Sequence, residues 1–329
     1  MTIEASAPGK VVVSGEYAVL DGAPAICMAI NRRARVTIDR ADGGHHSVVA
    51  PGFSSTTARF VVDQGRFEWL EGGADFALVE AVWMSVDAAM PGALALSLNT
   101  QDFVDTASGT KIGIGSSAAL TAAMSAALAV AAGRESATGE IALTAHRHFQ
   151  HGVGSGVDVA CSVQGGVIEY RLGATTHPTL PWPGGLAYAV LWSGVPASTG
   201  PRLERLARQA AKPSRAALAA AAERVAACWV GGSAAEILRE MRAYVGILHD
   251  FSVDHGLGIF DAGHGELVSV ANDDVVYKPC GAGGGDVGIV LAEDEAAIAA
   301  FVKAAVAKGF VRVGLEIDSN GVQTARENE

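Results

Sequence analysis

Residues 111–119 read Lys111-Ile-Gly-Ile-Gly-Ser-Ser-Ala-Ala and lead directly into an alanine-rich segment that ends at Ala132. Serines in front of such a segment mark the start of a helix. At such a helix start, the free backbone N–H groups, the positive end of the helix dipole and the two serine hydroxyls all face the same place. The stretch therefore predicts an anion site, although an ordinary helix cap made by Ser116 or Ser117 explains the serines equally well.

Two common phosphate-binding motifs do not fit this stretch. A Walker A loop needs a lysine directly before Ser or Thr at the end of Gly-x4-Gly-Lys, and the sequence contains no such string. A Rossmann fingerprint needs a strand that runs straight into the glycines, and here the polar loop 102–110 intervenes. The predicted anion site is therefore of another kind.

A second glycine-rich turn, Gly152-Val-Gly-Ser-Gly-Val-Asp, presents Asp158 just past a flexible loop. A carboxylate fixed in this way can act as a base or orient a hydroxyl group. As an isolated pattern it is more often the cap of the next helix. His146, His148 and His151 stand close by, but the first two do not share a helical face and no fourth ligand is evident, so a histidine metal site is not favoured.

The third turn, Lys278-Pro-Cys-Gly-Ala-Gly-Gly-Gly-Asp-Val-Gly, contains five glycines within eight residues, between two apolar runs. A hairpin needs only one or two glycines, so this density indicates that the backbone closely approaches something else. A purely structural hairpin is the alternative.

Two shorter signals have ordinary explanations when each stands alone. Lys10 follows Ala7-Pro8-Gly9 on a tight turn, and an isolated lysine is most often a solvated surface charge. Ser198 and Thr199 precede a helix predicted to start near Arg202. Such residues are in the first place helix caps and in the second place contacts to an anion or a substrate.

Composition excludes several classes of protein. The 329 residues are 50% hydrophobic, enough to bury a core in each of two lobes, and the net charge of −11 makes nucleic acid a poor partner. Four widely spaced cysteines and an N-terminus without a signal peptide favour reduced thiols and a cytoplasmic protein. The longest apolar stretch, 118–132, is shorter than the ~20 residues that a membrane span needs, so no membrane partner is expected.

The pattern of apolar runs predicts an α+β protein with two lobes. The Pro- and Gly-rich stretch 178–185 separates residues 1–180 from residues 181–329. The first lobe is predicted to contain strands at 11–13, 35–38, 94–98 and 167–172, a hairpin at 60–69, and helices at 76–89, 116–132 and 141–150. The second is predicted to place helices on one face of a mixed sheet. Its elements are a strand at 186–192, helices at 202–211, 214–229 and 234–249, two apolar runs within 275–291, a helix at 295–308 and a final strand at 310–317.

Taken together, Ala7-Pro-Gly-Lys, Gly113-Ile-Gly-Ser-Ser-Ala-Ala and Gly281-Ala-Gly-Gly-Gly resemble the three motifs of the GHMP kinase superfamily, in the same order and spacing. The resemblance runs from residue 5 to about residue 291. Gly15-Glu-Tyr-Ala-Val-Leu and Gly154-Ser-Gly-Val-Asp are similar to the phosphomevalonate kinase family in particular. The resemblance implies a two-lobed α+β GHMP kinase fold, with an ATP-binding N-terminal lobe like domain 2 of ribosomal protein S5 and a ferredoxin-like C-terminal lobe.

The resemblance also implies an activity, the ATP- and Mg²⁺-dependent phosphorylation of 5-phosphomevalonate to 5-diphosphomevalonate in isoprenoid synthesis. Lys10 and Asp158 would be catalytic, and a hydroxyl of Ser116 or Ser117 would lie near Mg²⁺. The nucleotide would contact Lys111, Gly113, Gly115, Ser116, Ser117 and Ala118. The acceptor would contact Lys10, Glu16, Tyr17, Ser155, Gly156, Ser198, Thr199, Gly281, Gly283, Gly284 and Asp286. Beyond a phosphorylated or hydroxylated small molecule no partner is implied, and a monomer or homodimer is expected.

Two positions depart from the patterns of these families. Arg147 stands where mevalonate kinases carry a magnesium-binding glutamate, eleven residues before the catalytic aspartate, which argues against a mevalonate kinase. Gln150-His-Gly replaces the usual Gln-Gly-Lys, so His151 is the candidate substitute for a basic group near the substrate phosphate. The alternatives are another kinase of the superfamily that acts on mevalonate or a different hydroxylated metabolite, a decarboxylase of the superfamily, and a non-catalytic ligand-binding protein.

Overall fold

A long antiparallel pair, β1 (Thr2–Ser14) and β2 (Ala25–Arg40), forms the framework of the first sheet in the computed structural model. The structure describes residues 1–152, 154–209 and 212–327. The other strands of this sheet are β3 (His46–Ala50), β4 (Ser54–Asp63), β5 (Arg66–Glu71), β6 (Leu94–Asn99), β7 (Val167–Tyr170), β8 (Thr179–Leu180) and β13 (Gln323–Glu327). The strand order is β13-β1-β2-β6-β3-β4-β5, with β7 and β8 attached to β2.

Four helices pack with this sheet: α1 (Ala77–Val86), α2 (Ser116–Ala131), α3 (Thr138–Phe149) and α4 (Val157–Gln164). Helix α2 lies against β1 and β2 and is buried around most of its circumference. Its many alanines explain this position, because small side chains let a helix approach a sheet and two neighbouring helices closely. The N-terminus of α2 is thereby fixed beside β1.

The second sheet is antiparallel throughout, with the order β10-β11-β9-β12. Its strands are β9 (Ala187–Trp192), β10 (Val275–Pro279), β11 (Val287–Ala292) and β12 (Val311–Val313), and its helices are α5 (Gly200–Ala207), α6 (Pro213–Trp229), α7 (Ala234–His255), α8 (His264–Val270) and α9 (Glu295–Val306). The prediction of a mixed sheet was wrong. The parallel pairing, between β3 and β6, lies in the first sheet.

Helices also cover both faces of the second sheet, where one covered face was expected. Ile289 packs in the core that contains α6 and α7, whereas Val290 packs with α8 and α9. Strand β11 is buried at every position. A strand buried on both faces carries an unbroken apolar run instead of an alternating one, and that run was the signal for the second layer.

The C-terminal segment differs most from the predicted elements. The expected strand 310–317 is limited to Val311–Val313, and the chain then returns to the first sheet, where β13 pairs with β1. Helices α4 and α8 were not predicted, and helix α7 extends to His255, where Gly256 caps it in the left-handed conformation. The predicted end of the 202–211 helix falls on residues outside the described ranges. The division at residue 180 stays a prediction, as does a monomeric or dimeric state.

Across the described ranges, every helix is too short or too polar to cross a lipid bilayer. The four cysteines are free thiols, and three of them are buried.

Candidate active site

Lys10 lies where three motifs meet: its own Ala7-Pro-Gly-Lys, the turn before α2 and the third glycine-rich turn. Its backbone N–H donates to the carbonyl of Ile114, at 2.9 Å, and this bond joins β1 to the turn before α2. A Cβ added to Gly115 would lie 3.0 Å from Cγ of Lys10, and a Cβ added to Gly281 would lie 3.9 Å from its Nζ. The ammonium group therefore stands between the N-terminus of α2 and the third turn.

A cleft opens beside Lys10 and brings together residues from distant parts of the chain. The predicted residues that line it are Lys10, Glu16, Tyr17, Ser155, Asp158, Thr199 and Gly281. The Tyr17 hydroxyl donates to the carbonyl of Ala282 at 2.7 Å, and burial raises the pKa of this phenol. Tyr17 thus connects the segment after β1 to the third glycine-rich turn and stays protonated. Ser198 is exposed outside this lining, and its carbonyl accepts a hydrogen bond from Arg202.

The N-terminus of α2 has the form of an anion site. Gly113 and Gly115 adopt φ angles of 85° and 89°, which favour glycine, and Gly115 is the N-cap residue. No side chain in the described ranges caps this helix, so the ordinary cap expected for Ser116 or Ser117 is absent. The first N–H groups of α2 consequently remain free to bind an anion.

A mainly apolar pocket adjoins this helix end. Ser116, Ser117 and Lys111 lie in its wall with Phe53, Phe76 and Phe149. Nζ of Lys111 lies 5.5 Å from the centre of the Phe53 ring, and the Phe53 and Phe149 side chains are exposed. These aromatic residues were not predicted, because they belong to three separate segments without a shared motif.

Asp158 lies in the first turn of α4, which begins after Gly156 in the left-handed conformation. Its side chain is 23% exposed, and it does not cap the helix. Its Oδ1 accepts the N–H of Val159 at 3.0 Å, which leaves the second oxygen available to a ligand. The neighbouring Ser155 is fixed by the Tyr170 hydroxyl, which donates to its carbonyl.

The third turn is dense in glycine largely because of contacts within the protein. A Cβ on Gly283 would overlap Ile259, and one on Gly284 would overlap the guanidinium of Arg202. Asp286 also has an internal role: its Oδ1 accepts the N–H of Ala197 at 3.0 Å, and burial raises its pKa. Contact of these residues with an acceptor stays a prediction.

Replacement of Gly113 by alanine tests the packing between the second and third motifs. The new Cβ would overlap the carboxyl group of Asp286 and would also strain the backbone. We expect kcat/KM for ATP to fall on the order of 10²-fold, because displacement of a positioning loop by about 1 Å has an effect of this size. Gly109 is the matched control, since it has a φ of 68° but open space around it. Equal losses of kcat/KM in Gly109→Ala and Gly113→Ala would contradict the packing argument.

Glu16 lines the cleft but has its side-chain contacts within the protein, and its contact with an acceptor stays a prediction. It forms an ion pair with Lys278, and both side chains are at most 2% exposed. The Tyr244 hydroxyl donates to Glu16 Oε2 at 2.9 Å and accepts the N–H of Gly15 at 3.0 Å. Burial opposes the charge on Lys278, but its charged surroundings raise its pKa. Burial raises the pKa of the Cys280 thiol to about 11, so this thiol is neutral at pH 7. Glu16 is therefore the negative charge that balances Lys278.

Comparison with known proteins agrees with this geometry. Residues 85–166 match the family model of the GHMP kinases N terminal domain. The phosphomevalonate kinase of Streptomyces sp. (strain CL190) is 33% identical over 345 aligned positions, which cover 90% of this chain and 91% of that protein. The mevalonate kinase of Methanothermobacter thermautotrophicus is 32% identical, but over only 51% of this chain and 50% of that protein.

A solved structure extends the comparison to the fold. Streptococcus pneumoniae phosphomevalonate kinase in complex with phosphomevalonate and AMPPNP superimposes with a TM-score of 0.79, with 17% identity, over 95% of this chain and 99% of that chain. The two-lobed fold implied by the motifs is thus confirmed. Because the similarity to a curated relative extends over nine tenths of both sequences, and because the three motifs meet at one lysine, this chain belongs to the GHMP kinase family of phosphotransferases.

Proposed function

We propose that the protein transfers the γ-phosphoryl group of ATP to 5-phosphomevalonate and so forms 5-diphosphomevalonate and ADP. The observation that carries this proposal is the position of Lys10, between the free N-terminus of α2 and the third glycine-rich turn, on a cleft that Asp158 also lines. The similarity to a phosphomevalonate kinase over 90% of this chain supports the choice of acceptor. Similarity to a mevalonate kinase covers only about half of the chain.

The nucleotide is expected to lie across the N-terminus of α2. Its phosphates fit the free N–H groups that follow Gly115, and its base fits the apolar pocket with Phe53, Phe76 and Phe149. Lys111 lies at the edge of the same pocket and supplies a positive charge there. This arrangement directs the terminal phosphate of ATP towards Lys10.

Magnesium fits the donor set on the nucleotide side. Mg²⁺ prefers oxygen ligands and is usually held by substrate phosphates, waters and few protein groups. The hydroxyls of Ser116 and Ser117 lie on the first turn of α2, beside the expected phosphates, and one of the two would hold it. When bound, the ion neutralises charge on the phosphates.

Lys10 and Asp158 have different roles in the transfer of the phosphoryl group. Phosphoryl transfer depends mainly on in-line positioning and on neutralising charge that is spread over oxygens. Lys10 provides a positive charge between the donor and the acceptor. The accepting phosphate has a second pKa of ~6 and is already ionised at neutral pH, so Asp158 needs to orient it and need not act as a strong base.

A coupled assay for ADP release tests the acceptor. With 5-phosphomevalonate we expect kcat/KM to exceed that with mevalonate by at least about 10²-fold, because a site built for a phosphate leaves its own charges unpaired around a substrate that lacks this phosphate. Turnover of mevalonate alone would assign the alternative kinase activity. Nucleotide binding without turnover of any acceptor would instead favour the ligand-binding protein, and release of carbon dioxide would reveal a decarboxylase.

A further inference from the structure

His146 is a buried imidazole that belongs to none of the three glycine-rich turns. Its side chain is 2% exposed, and it lies on α3 between two residues of the proposed site. Its Nε2 is 3.5 Å from the Ser117 hydroxyl oxygen, and its Nδ1 is 3.9 Å from Asp158 Oδ1. One ring therefore reaches both α2, on the nucleotide side, and α4, on the acceptor side.

A histidine is an unusual residue at this buried position of α3. The other buried residues of α3 are Ile141, Ala142 and Ala145, all of them apolar. The next two residues, Arg147 and His148, are exposed. A buried imidazole is disfavoured unless its nitrogens find polar partners, so an aliphatic side chain would suit a purely structural position better.

The two partners determine which nitrogen carries the proton. A neutral imidazole has one donor and one acceptor, and an ionised carboxylate can only accept. In the neutral tautomer with hydrogen on Nδ1, that hydrogen faces Asp158, and Nε2 can accept a hydrogen bond from the Ser117 hydroxyl. With its proton directed to His146, the Ser117 oxygen presents its lone pairs to the nucleotide side, as a cation ligand must.

We propose that His146 is a positioning residue that orients the Asp158 carboxylate and the Ser117 hydroxyl together. The Ser117 contact is at the limit of a hydrogen bond, and the 3.9 Å separation from Asp158 is beyond it; such contacts commonly shorten only when substrates bind. His146 thereby selects Ser117, rather than Ser116, as the hydroxyl that holds Mg²⁺ of the nucleotide. This inference rests on the proposed function, because it assigns the two partners their roles from that reaction.

Three substitutions separate the two contacts. His146→Leu removes both and keeps an apolar volume, His146→Asn retains a donor near Nδ1, and His146→Gln retains a polar group near Nε2. We expect His146→Leu to lower kcat for 5-phosphomevalonate about 10- to 100-fold, the usual effect of removing a group that orients a ligand-binding residue. We expect KM for the acceptor to change less than threefold and Tm to stay close to that of the wild type.

The conservative variants give the decisive readouts. His146→Asn should recover most of kcat, whereas His146→Gln should recover the Mg²⁺-dependent increase in affinity for AMPPNP, measured by calorimetry with and without Mg²⁺. In a Ser117→Ala background, His146→Leu should have no further effect on that increase. His148→Leu, on the exposed side of the same helix, is the matched control and should leave both quantities unchanged.

Other outcomes would overturn the inference. A lower Tm in all three variants with an unchanged kcat per folded molecule would assign His146 a structural role only. Equal effects of the Asn and Gln substitutions would show that His146 does not act through separate contacts with Asp158 and Ser117. If the wild-type protein phosphorylates no acceptor, the proposed function fails, but the AMPPNP titrations still decide whether His146 acts through Ser117.

Discussion

Replacement of Lys10 by methionine is expected to lower kcat/KM for 5-phosphomevalonate by on the order of 10³-fold or more, with most of the loss in kcat. The side chain stands between Gly115 and Gly281, where the donor and acceptor phosphates must approach each other. Methionine preserves much of the length and apolar stem but removes the charge, so repulsion between the two anions would no longer be offset. Steady-state kinetics with ADP release as the readout measure the effect.

Two comparisons make this result specific to the position of Lys10. Asp158→Asn should lose less activity than Lys10→Met, because the accepting phosphate is already ionised and requires no strong base. Lys303→Met, at an exposed position of α9, removes the same charge far from the cleft and should leave kcat/KM unchanged. Equal losses in Lys10→Met and Asp158→Asn would count against the division of roles proposed here.

Replacement of Lys278 by methionine is expected to destabilise the protein by about 3–5 kcal/mol, the usual effect of removing one partner of a buried ion pair. Glu16 would remain buried with a negative charge, and among the described residues Tyr244 would be its remaining side-chain partner. Urea denaturation followed by circular dichroism measures the free energy of unfolding. Activity should also fall, since Glu16 and Tyr17 belong to the turn that carries the cleft wall.

A second substitution distinguishes the lost ion pair from a simple packing defect. In Lys278→Met combined with Glu16→Gln, no unpaired charge remains, so we expect at least half of the lost stability to return. Arg59→Met, which breaks an exposed pair with Glu71, is the control and should cost at most about 1 kcal/mol. If the double variant is no more stable than Lys278→Met, the buried charge is not the cause.

The part of the site that was predictable from the sequence is the part made of contiguous glycine-rich turns. Gly113 and Gly115 are required because the side chains of Asp286 and Lys10 approach them closely, and a local string of glycines is the sequence signal of that requirement. The helix at 116–132 was confirmed for a similar reason, because its serine start signal and its alanine-rich sequence lie within one segment. The hairpin at 60–69 was also confirmed.

The features of the site that were not predictable depend on residues that are distant from each other in the sequence. A contact of Glu16 with the acceptor was predicted from the resemblance of Gly15-Glu-Tyr-Ala-Val-Leu to the family, but the side-chain partners of Glu16 lie 228 and 262 residues away, at Tyr244 and Lys278. His146 carried no signal beyond its residue type. The aromatic pocket beside α2 draws on three segments. No pattern within a short window encodes such contacts, and only the assembled fold brings them together.

Strand β13 has a consequence for the order of folding. It pairs with β1 in the register Thr2↔Glu327, so one edge of the strand that carries Lys10 finds its partner only at the far end of the chain. During synthesis every residue between β1 and β13 must leave the ribosome before this edge is covered. Until then β1 presents an open row of hydrogen-bonding groups, which is a template for pairing with other nascent chains. The need for chaperones should therefore persist until β13 has emerged.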